Sequence, residues 1–177
     1  MEQYAVITAV GPDRPGLVDA ISKFILDAGC NLEDSRMARL GGEFAMVILV
    51  AAEGDGVARL SSHVDKVGAG TGLTILVKPT RSPHEGPAVD AIPYQVAAYS
   101  MDHPGIVQQV SHFLSERGIN VRTLDTHVTS APVTGQPLFT LSAVIDVPAS
   151  ENVRELRRGL EDIGAAENID IEVKPAT

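Results

Sequence analysis

Two short loops carry the residues of this 177-residue chain whose types and spacing suit ligand chemistry. They read Asp13-Arg14-Pro15-Gly16-Leu17 and Asp102-His103-Pro104-Gly105-Ile106, and each stands between a β-rich run and an amphipathic helical pattern. Proline is favoured at the first helical position, so each proline predicts a helix start. The following glycine leaves the first-turn amides open. Free amides at the positive end of a helix dipole favour a carboxylate or phosphate, which predicts two anion sites.

The polar side chains near these loops allow two interpretations. Asp13 and Asp102 either cap their helices or face a ligand. Asn31 and Asn120 each open a β-rich run after helix one, and we expect them beside the same loop. An asparagine amide offers both a donor and an acceptor, which suits an α-amino acid. The alternative is that both asparagines only close the end of a helix.

No catalytic set or metal site assembles from the other reactive residues. Five histidines (63, 84, 103, 112 and 127) lack the spacing of a metal site, and a weak alternative groups His103, His127 and Asp102. Cys30 stands alone, without a neighbouring histidine or lysine in the sequence, and we expect a packed or half-exposed thiol. A GxxxxGK[ST] phosphate loop is absent. We therefore predict a protein that is not an enzyme and needs no cofactor.

Charge and composition narrow the partners and the compartment. The chain has 14 Lys and Arg against 23 Asp and Glu, a net charge of −9, and both halves are acidic. Nucleic-acid binding would oppose the phosphate attraction on which such binding depends. The sequence holds no apolar run long enough to span a membrane and no signal-peptide start, and it has one cysteine. We expect a cytoplasmic protein that binds neither membrane nor DNA.

An internal repeat divides the chain into two similar halves. The Asp-x-Pro-Gly loops recur at an offset of 89 residues, as do Gly29-Cys-Asn-Leu32 and Gly118-Ile-Asn-Val121. The final β-rich runs recur at an offset of 96, so extra residues enter near 129–137. The repeat predicts one domain at 1–80, a proline-rich linker at 81–90 and a second domain at 91–177. Units this small favour packing on each other or on a second chain.

Within each half the apolar period alternates between strand and helix. Helical spacing covers residues 17–28 and 57–67 in the first copy and 106–114 and 153–163 in the second. Adjacent Gly41 and Gly42 predict a tight hairpin between two strands. The order βαββαβ predicts two ferredoxin-like α+β domains, each a four-stranded antiparallel sheet with two helices on one face. RNA-recognition motifs and acylphosphatase-type enzymes share this order. An RNA-recognition sheet needs aromatic residues on strands one and three, but the third run has one Phe and no cluster of basic and aromatic residues.

The loop motif, the Gly-x-Asn-Leu after helix one and the βαββαβ order resemble the ACT domain, a regulatory module that binds amino acids. The two copies, with Glu33-Asp34-Ser35-Arg36, resemble the glycine cleavage system transcriptional repressor family. In ligand-binding ACT domains the effector sits between two domains, held by the loop before helix one and by an asparagine opening strand two. The resemblance thus implies these ligand-binding residues: Asp13, Arg14, Gly16, Leu17 and Asn31, and in the second copy Asp102, His103, Gly105, Ile106 and Asn120.

The same resemblance suggests a function. It implies an amino-acid-responsive regulator that binds glycine or serine and acts on a partner protein, such as a transcription factor. The alternative is a regulatory or assembly subunit of an amino-acid metabolic enzyme. ACT domains commonly pair side by side or back to back, so we also expect a homodimer.

Overall fold

Both halves of the chain run strand, helix, strand, strand, helix, strand in the computed structural model, which describes residues 2–83, 90–131 and 135–176. The chain divides into two units, Met1–Pro87 and Ala88–Thr177. The first unit contains β1 (Glu2–Pro12), α1 (Leu17–Asp27), β2 (Cys30–Leu40), β3 (Glu43–Glu53), α2 (Gly56–Thr71) and β4 (Thr74–Thr80). The second contains β5 (Ala91–Met101), α3 (Ile106–Glu116), β6 (Asn120–Ser130), β7 (Pro137–Pro148), α4 (Val153–Glu167) and β8 (Asp170–Pro175).

Each unit forms one antiparallel sheet of four strands. The strand orders are β2-β3-β1-β4 and β6-β7-β5-β8, so the central pair joins the first and third strands of each unit. These are two ferredoxin-like α+β domains, and the predicted fold class is confirmed. Most of the predicted linker, residues 84–89, and residues 132–134 of the predicted insertion lie outside the described residues. The domain bounds 1–80 and 91–177 stay a prediction.

The core of the first unit lies between the sheet and the two helices. Alternate residues of β1, namely Ala5, Ile7 and Ala9, are fully buried, as the period of a strand requires. Leu17, Ile21, Phe24 and Ile25 form the buried face of α1, and Val57 and Leu60 form that of α2. The second core has the same plan, with Leu156 and Leu160 on α4 fully buried. In the described ranges, no helix is long and apolar enough to cross a membrane.

The hairpin between β2 and β3 sets the register of the first sheet. Gly41 and Gly42 have φ values of 59° and 88°, the left-handed conformations that a tight two-residue turn requires. Leu40 therefore pairs with Glu43, and Phe44 pairs with Gly11 near the end of β1. The predicted hairpin is confirmed, and its tip lies at the same end of the sheet as the loop that follows β1.

We predict that Leu60→Ala lowers the free energy of unfolding by about 2 to 5 kcal/mol, because it removes a fully buried side chain and leaves a cavity. Urea denaturation measures the change. Leu26→Ala is the control, because Leu26 is 74% exposed on α1 and should change stability by less than about 0.5 kcal/mol. Equal effects of the two substitutions would contradict this description of the core.

Candidate functional site

Loop one, residues 13–17, reaches α1 through a left-handed glycine. The helix begins at Leu17, and Gly16 is its N-cap with φ 91° and ψ −1°. Gly105 takes the same position before α3 with φ 106°. The sequence predicts that the helices start at Pro15 and Pro104. Each predicted start lies two residues before the observed one. The glycines are required because an L side chain is strained at such a φ, and not only because they leave the amides open.

The first turn of α1 presents unpaired backbone donors. The first amide with a helical partner is that of Ala20, which donates to the Gly16 carbonyl at 3.0 Å. The amides of Leu17, Val18 and Asp19 have no acceptor within the described part of the chain. The Leu17 side chain is only 2% exposed, so this residue offers a ligand its amide alone. This arrangement can bind an anionic group at the helix N-terminus.

Asp13 is tied to the hairpin and not to the helix. Its amide donates to the Gly42 carbonyl at 3.0 Å, which fixes loop one against the hairpin tip. Its carboxylate lies 3.5 Å from Nη1 of Arg39 on β2 and is about one-third exposed. No contact to the first-turn amides is present among the described residues, so Asp13 is not the helix cap of the alternative interpretation. Its carboxylate remains open to a cationic ligand group.

Loop one lines a shallow depression of 360 Å³. The loop contributes Asp13, Arg14 and Gly16, which the sequence analysis expected together, and the first turn of α1 contributes Leu17 and its neighbours. Met37 of β2 and Phe44 of β3 complete the wall. Sequence reasoning missed these two residues and Arg39. The hairpin signal could have found them, because counting outward in both directions from Gly41-Gly42 places all three near the hairpin tip, at the end of the sheet that carries the loop.

The Arg14 side chain forms hydrogen bonds with the end of α2. Its guanidinium donates to the Thr71 carbonyl at 3.0 and 3.3 Å and to that of Gly70 at 3.5 Å. These are carbonyls of the last turn of α2, which have no helical donor. Arg14 thus joins loop one to the end of α2.

Loop two, residues 102–106, has the same backbone hydrogen bonds as loop one but carries different side chains. The Asp102 amide donates to the Pro137 carbonyl at 3.0 Å, and the first helical bond runs from Gln109 to Gly105. The strand pairing puts Val128 where Arg39 stands in the first unit. His103 donates from Nδ1 to the Pro104 carbonyl at 3.2 Å, while its Nε2 is buried without a partner in the described chain. Ile106 is 2% exposed and, like Leu17, offers only its amide.

The two asparagines do not lie beside these loops in their own units, so the expectation is wrong on this point. Asn31 pairs with Ala51, which pairs with Tyr4, whereas loop one follows Pro12. Eight residues of strand separate these positions, about 27 Å. Asn120 likewise pairs with Asp146, far along β7 from Pro137. The reason is topological, since α1 runs back along the sheet and β2 starts at the opposite end.

The remaining reactive residues form no shared site. Cys30 is 7% exposed, and burial raises the pKa of its thiol, opposed by the positive charge of Arg59. His63, His112 and His127 are exposed and lie on α2, α3 and β6, while His84 falls outside the described residues. No three histidine, cysteine, aspartate or glutamate side chains within the described ranges are grouped as metal ligands.

Comparison with known proteins places this geometry in a family. Residues 3–78 match the family model of the ACT domain. A UPF0237 protein of Methanopyrus kandleri is 38% identical over 76 residues, which are 42% of this chain and 84% of that protein. The chain belongs to the ACT-domain family. The second ACT-type domain follows from its own sheet order and from full-length structural similarity.

Similarity to other proteins also extends over most or all of the chain. The glycine cleavage system transcriptional repressor of Escherichia coli is 27% identical over 160 residues, 90% of this chain and 83% of that protein. A crystal structure of an unknown protein from Galdieria sulphuraria has 27% identity and a TM-score of 0.86, covering 100% of both chains. A candidate glycine cleavage system transcriptional repressor has 25% identity and a TM-score of 0.74, covering 100% of this chain and 99% of its own.

We predict that Gly16→Ala destabilises the first ACT domain by about 1 to 2 kcal/mol, because alanine must adopt the left-handed conformation. Gly70→Ala is the matched control. Gly70 lies within α2 at an ordinary φ with open space around its Cα, so alanine should raise stability by up to about 1 kcal/mol. Opposite signs in chemical denaturation are expected. Equal signs would contradict the left-handed N-cap.

Proposed function

We propose that this ACT-domain protein is a non-enzymatic, cytoplasmic regulator that binds a small amino acid at loop one and acts on a partner protein. The proposal rests on one observation, which is that backbone donors for an anion and a carboxylate acceptor for a cation line the same depression. The amides of Leu17, Val18 and Asp19 attract a carboxylate, and the Asp13 carboxylate attracts an ammonium group. An α-amino acid carries both groups.

The relatives support the choice of ligand and role. The similar Escherichia coli protein is a repressor of the glycine cleavage system, and the matching family module is the ACT domain. Glycine and serine are therefore the first candidates. The net charge of −9 favours action through a protein partner, such as a transcription factor, over direct DNA binding.

A dimer would bring Asn31 to loop one. The strand β2 is a sheet edge of eleven residues, and its outer backbone groups face no strand of its own sheet. Two copies of β2 paired antiparallel over their full length about a twofold axis place Asn31 of one chain opposite Arg39 of its partner, beside Leu40. Leu40 adjoins the hairpin tip that holds loop one. We propose this side-by-side homodimer, in which each amino acid contacts both chains.

The second loop is proposed as a weaker site. Asp102, His103, Gly105, Ile106 and Asn120 repeat the positions of the first site, and the first-turn amides of α3 are equally free in the described structure. In the second unit, Val128 stands in place of Arg39 and His103 in place of Arg14, so neither arginine is present there. The negative charge of Asp102 therefore has no arginine at the position where Arg39 contacts Asp13.

We predict that glycine or serine raises the melting temperature by about 5 to 10 °C at a concentration near 100 times its dissociation constant. Asp13→Ala should abolish most of the rise by removing the partner of the ammonium group, and Asp102→Ala should have the smaller effect. Asp65→Ala, an exposed carboxylate on α2, is the control and should keep the full rise. No rise at millimolar ligand, or a full rise in Asp13→Ala, would exclude this site.

Complementation tests the proposed dimer. We predict that Asp13→Ala and Asn31→Ala proteins each bind amino acid weakly, but that mixing them restores binding to a fraction of the sites. A mixed dimer pairs the intact loop of one chain with the intact asparagine of the other. Calorimetry counts the restored sites, and light scattering should give twice the mass of one chain. A monomeric mass, or mixing without any recovery, would contradict the shared site.

A further inference from the structure

The helix face of the first ACT domain contains a groove that the amino-acid site does not use. It lies between α1 and α2 and has a volume of 430 Å³. Phe24, Ala28 and Val67 supply apolar wall, and Phe24 is only 6% exposed. Arg59, His63 and Lys66 of α2 line the same groove, at spacings that place them on one side of the helix.

The charges around the groove leave a cation without a partner. Asp27 on α1 is paired with Lys23 at 2.9 Å. Arg59 is paired with Asp55 and donates to the Ala28 carbonyl at 2.9 and 3.0 Å. Lys66 has no hydrogen bond or ion pair to any described residue, and the exposed His63 ring forms hydrogen bonds only within α2 in the described ranges. Although the chain has a net charge of −9, this face can therefore bind a negatively charged group.

The second ACT domain closes the equivalent groove. The ring of Phe113, which corresponds to Phe24, lies directly against Gly159, where the first domain has His63. The Arg117 guanidinium covers that ring at 3.7 Å from its centroid.

The charge of this face is also reversed between the domains. At an offset of 96 residues, Glu155 replaces Arg59 and Asp162 replaces Lys66. The open cationic groove is thus a property of the first copy and not of the repeated fold.

We propose that the α1–α2 groove docks an acidic segment of a partner protein. An apolar side chain of that segment would pack on Phe24 and Val67, and its carboxylates would face Lys66 and His63. Helix-in-groove binding has this pattern, with an apolar anchor flanked by charges that set the orientation. The proposal rests on the proposed function in one respect, namely that the protein acts through a protein partner.

The test uses a synthetic fluorescent peptide that carries leucine at helical spacing and glutamate elsewhere. Fluorescence anisotropy with the full chain should show saturable binding, which Lys66→Asp weakens about tenfold by replacing an attractive charge with a repulsive one. Arg158→Asp is the matched control, because it changes the net charge equally from an exposed position on α4. It should weaken binding less than about twofold, because Arg158 does not line the groove and its exposed charge is screened by salt.

Three outcomes of this binding experiment would contradict the proposed docking site. They are no saturable binding to the wild type, equal losses in Lys66→Asp and Arg158→Asp, or equally tight binding of a peptide with every leucine changed to alanine. A lower mass of Lys66→Asp in light scattering would assign the face to a second copy of the chain, which also overturns the proposal. The glycine-induced rise in melting temperature should be unchanged in Lys66→Asp. Its absence in the wild type would remove the proposed effector and leave the peptide result standing.

Discussion

The continuous pairing of β1 with β3 is the constraint on which the rest of the first domain depends. The register runs without a shift from Glu2 opposite Glu53 to Pro12 opposite Glu43. It brings the β2–β3 hairpin tip to the end of β1, where the Gly42 carbonyl accepts the Asp13 amide. Loop one, its free amides and the Met37–Phe44 wall are all positioned by that register. A slip of one residue would turn the core side of β3 outward and separate these parts.

Local signals in the sequence were sufficient to predict the elements. The apolar period located the helices, and Gly41-Gly42 located the hairpin, because each signal acts over a few residues. The start of α1 was misplaced at Pro15 for a physical reason. A glycine after a proline fits both an ordinary first turn and a left-handed N-cap, and only the observed φ of Gly16 separates them.

The candidate site was predicted in part. The loop residues were found because one motif occurs twice, but Asn31 was placed wrongly beside them although the antiparallel topology sends β2 off from the far end of the sheet. Arg39 and Phe44 were missed because their nearness to Asp13 is a matter of strand pairing and not of sequence distance. The roles of these residues in binding remain predictions, since shape alone does not identify a ligand.

The contact between Arg14 and the end of α2 links the local stability of two separated segments. The last turn of α2 contains Gly68 and Gly70, and Gly72 follows as a left-handed C-cap, so the helix gains little from intrinsic propensity there. The guanidinium that holds the Gly70 and Thr71 carbonyls belongs to loop one. Fraying of this helix end and opening of the loop are therefore coupled events. Amide hydrogen exchange at the end of α2 would slow whenever loop one is held in place, although no ligand atom needs to touch that helix.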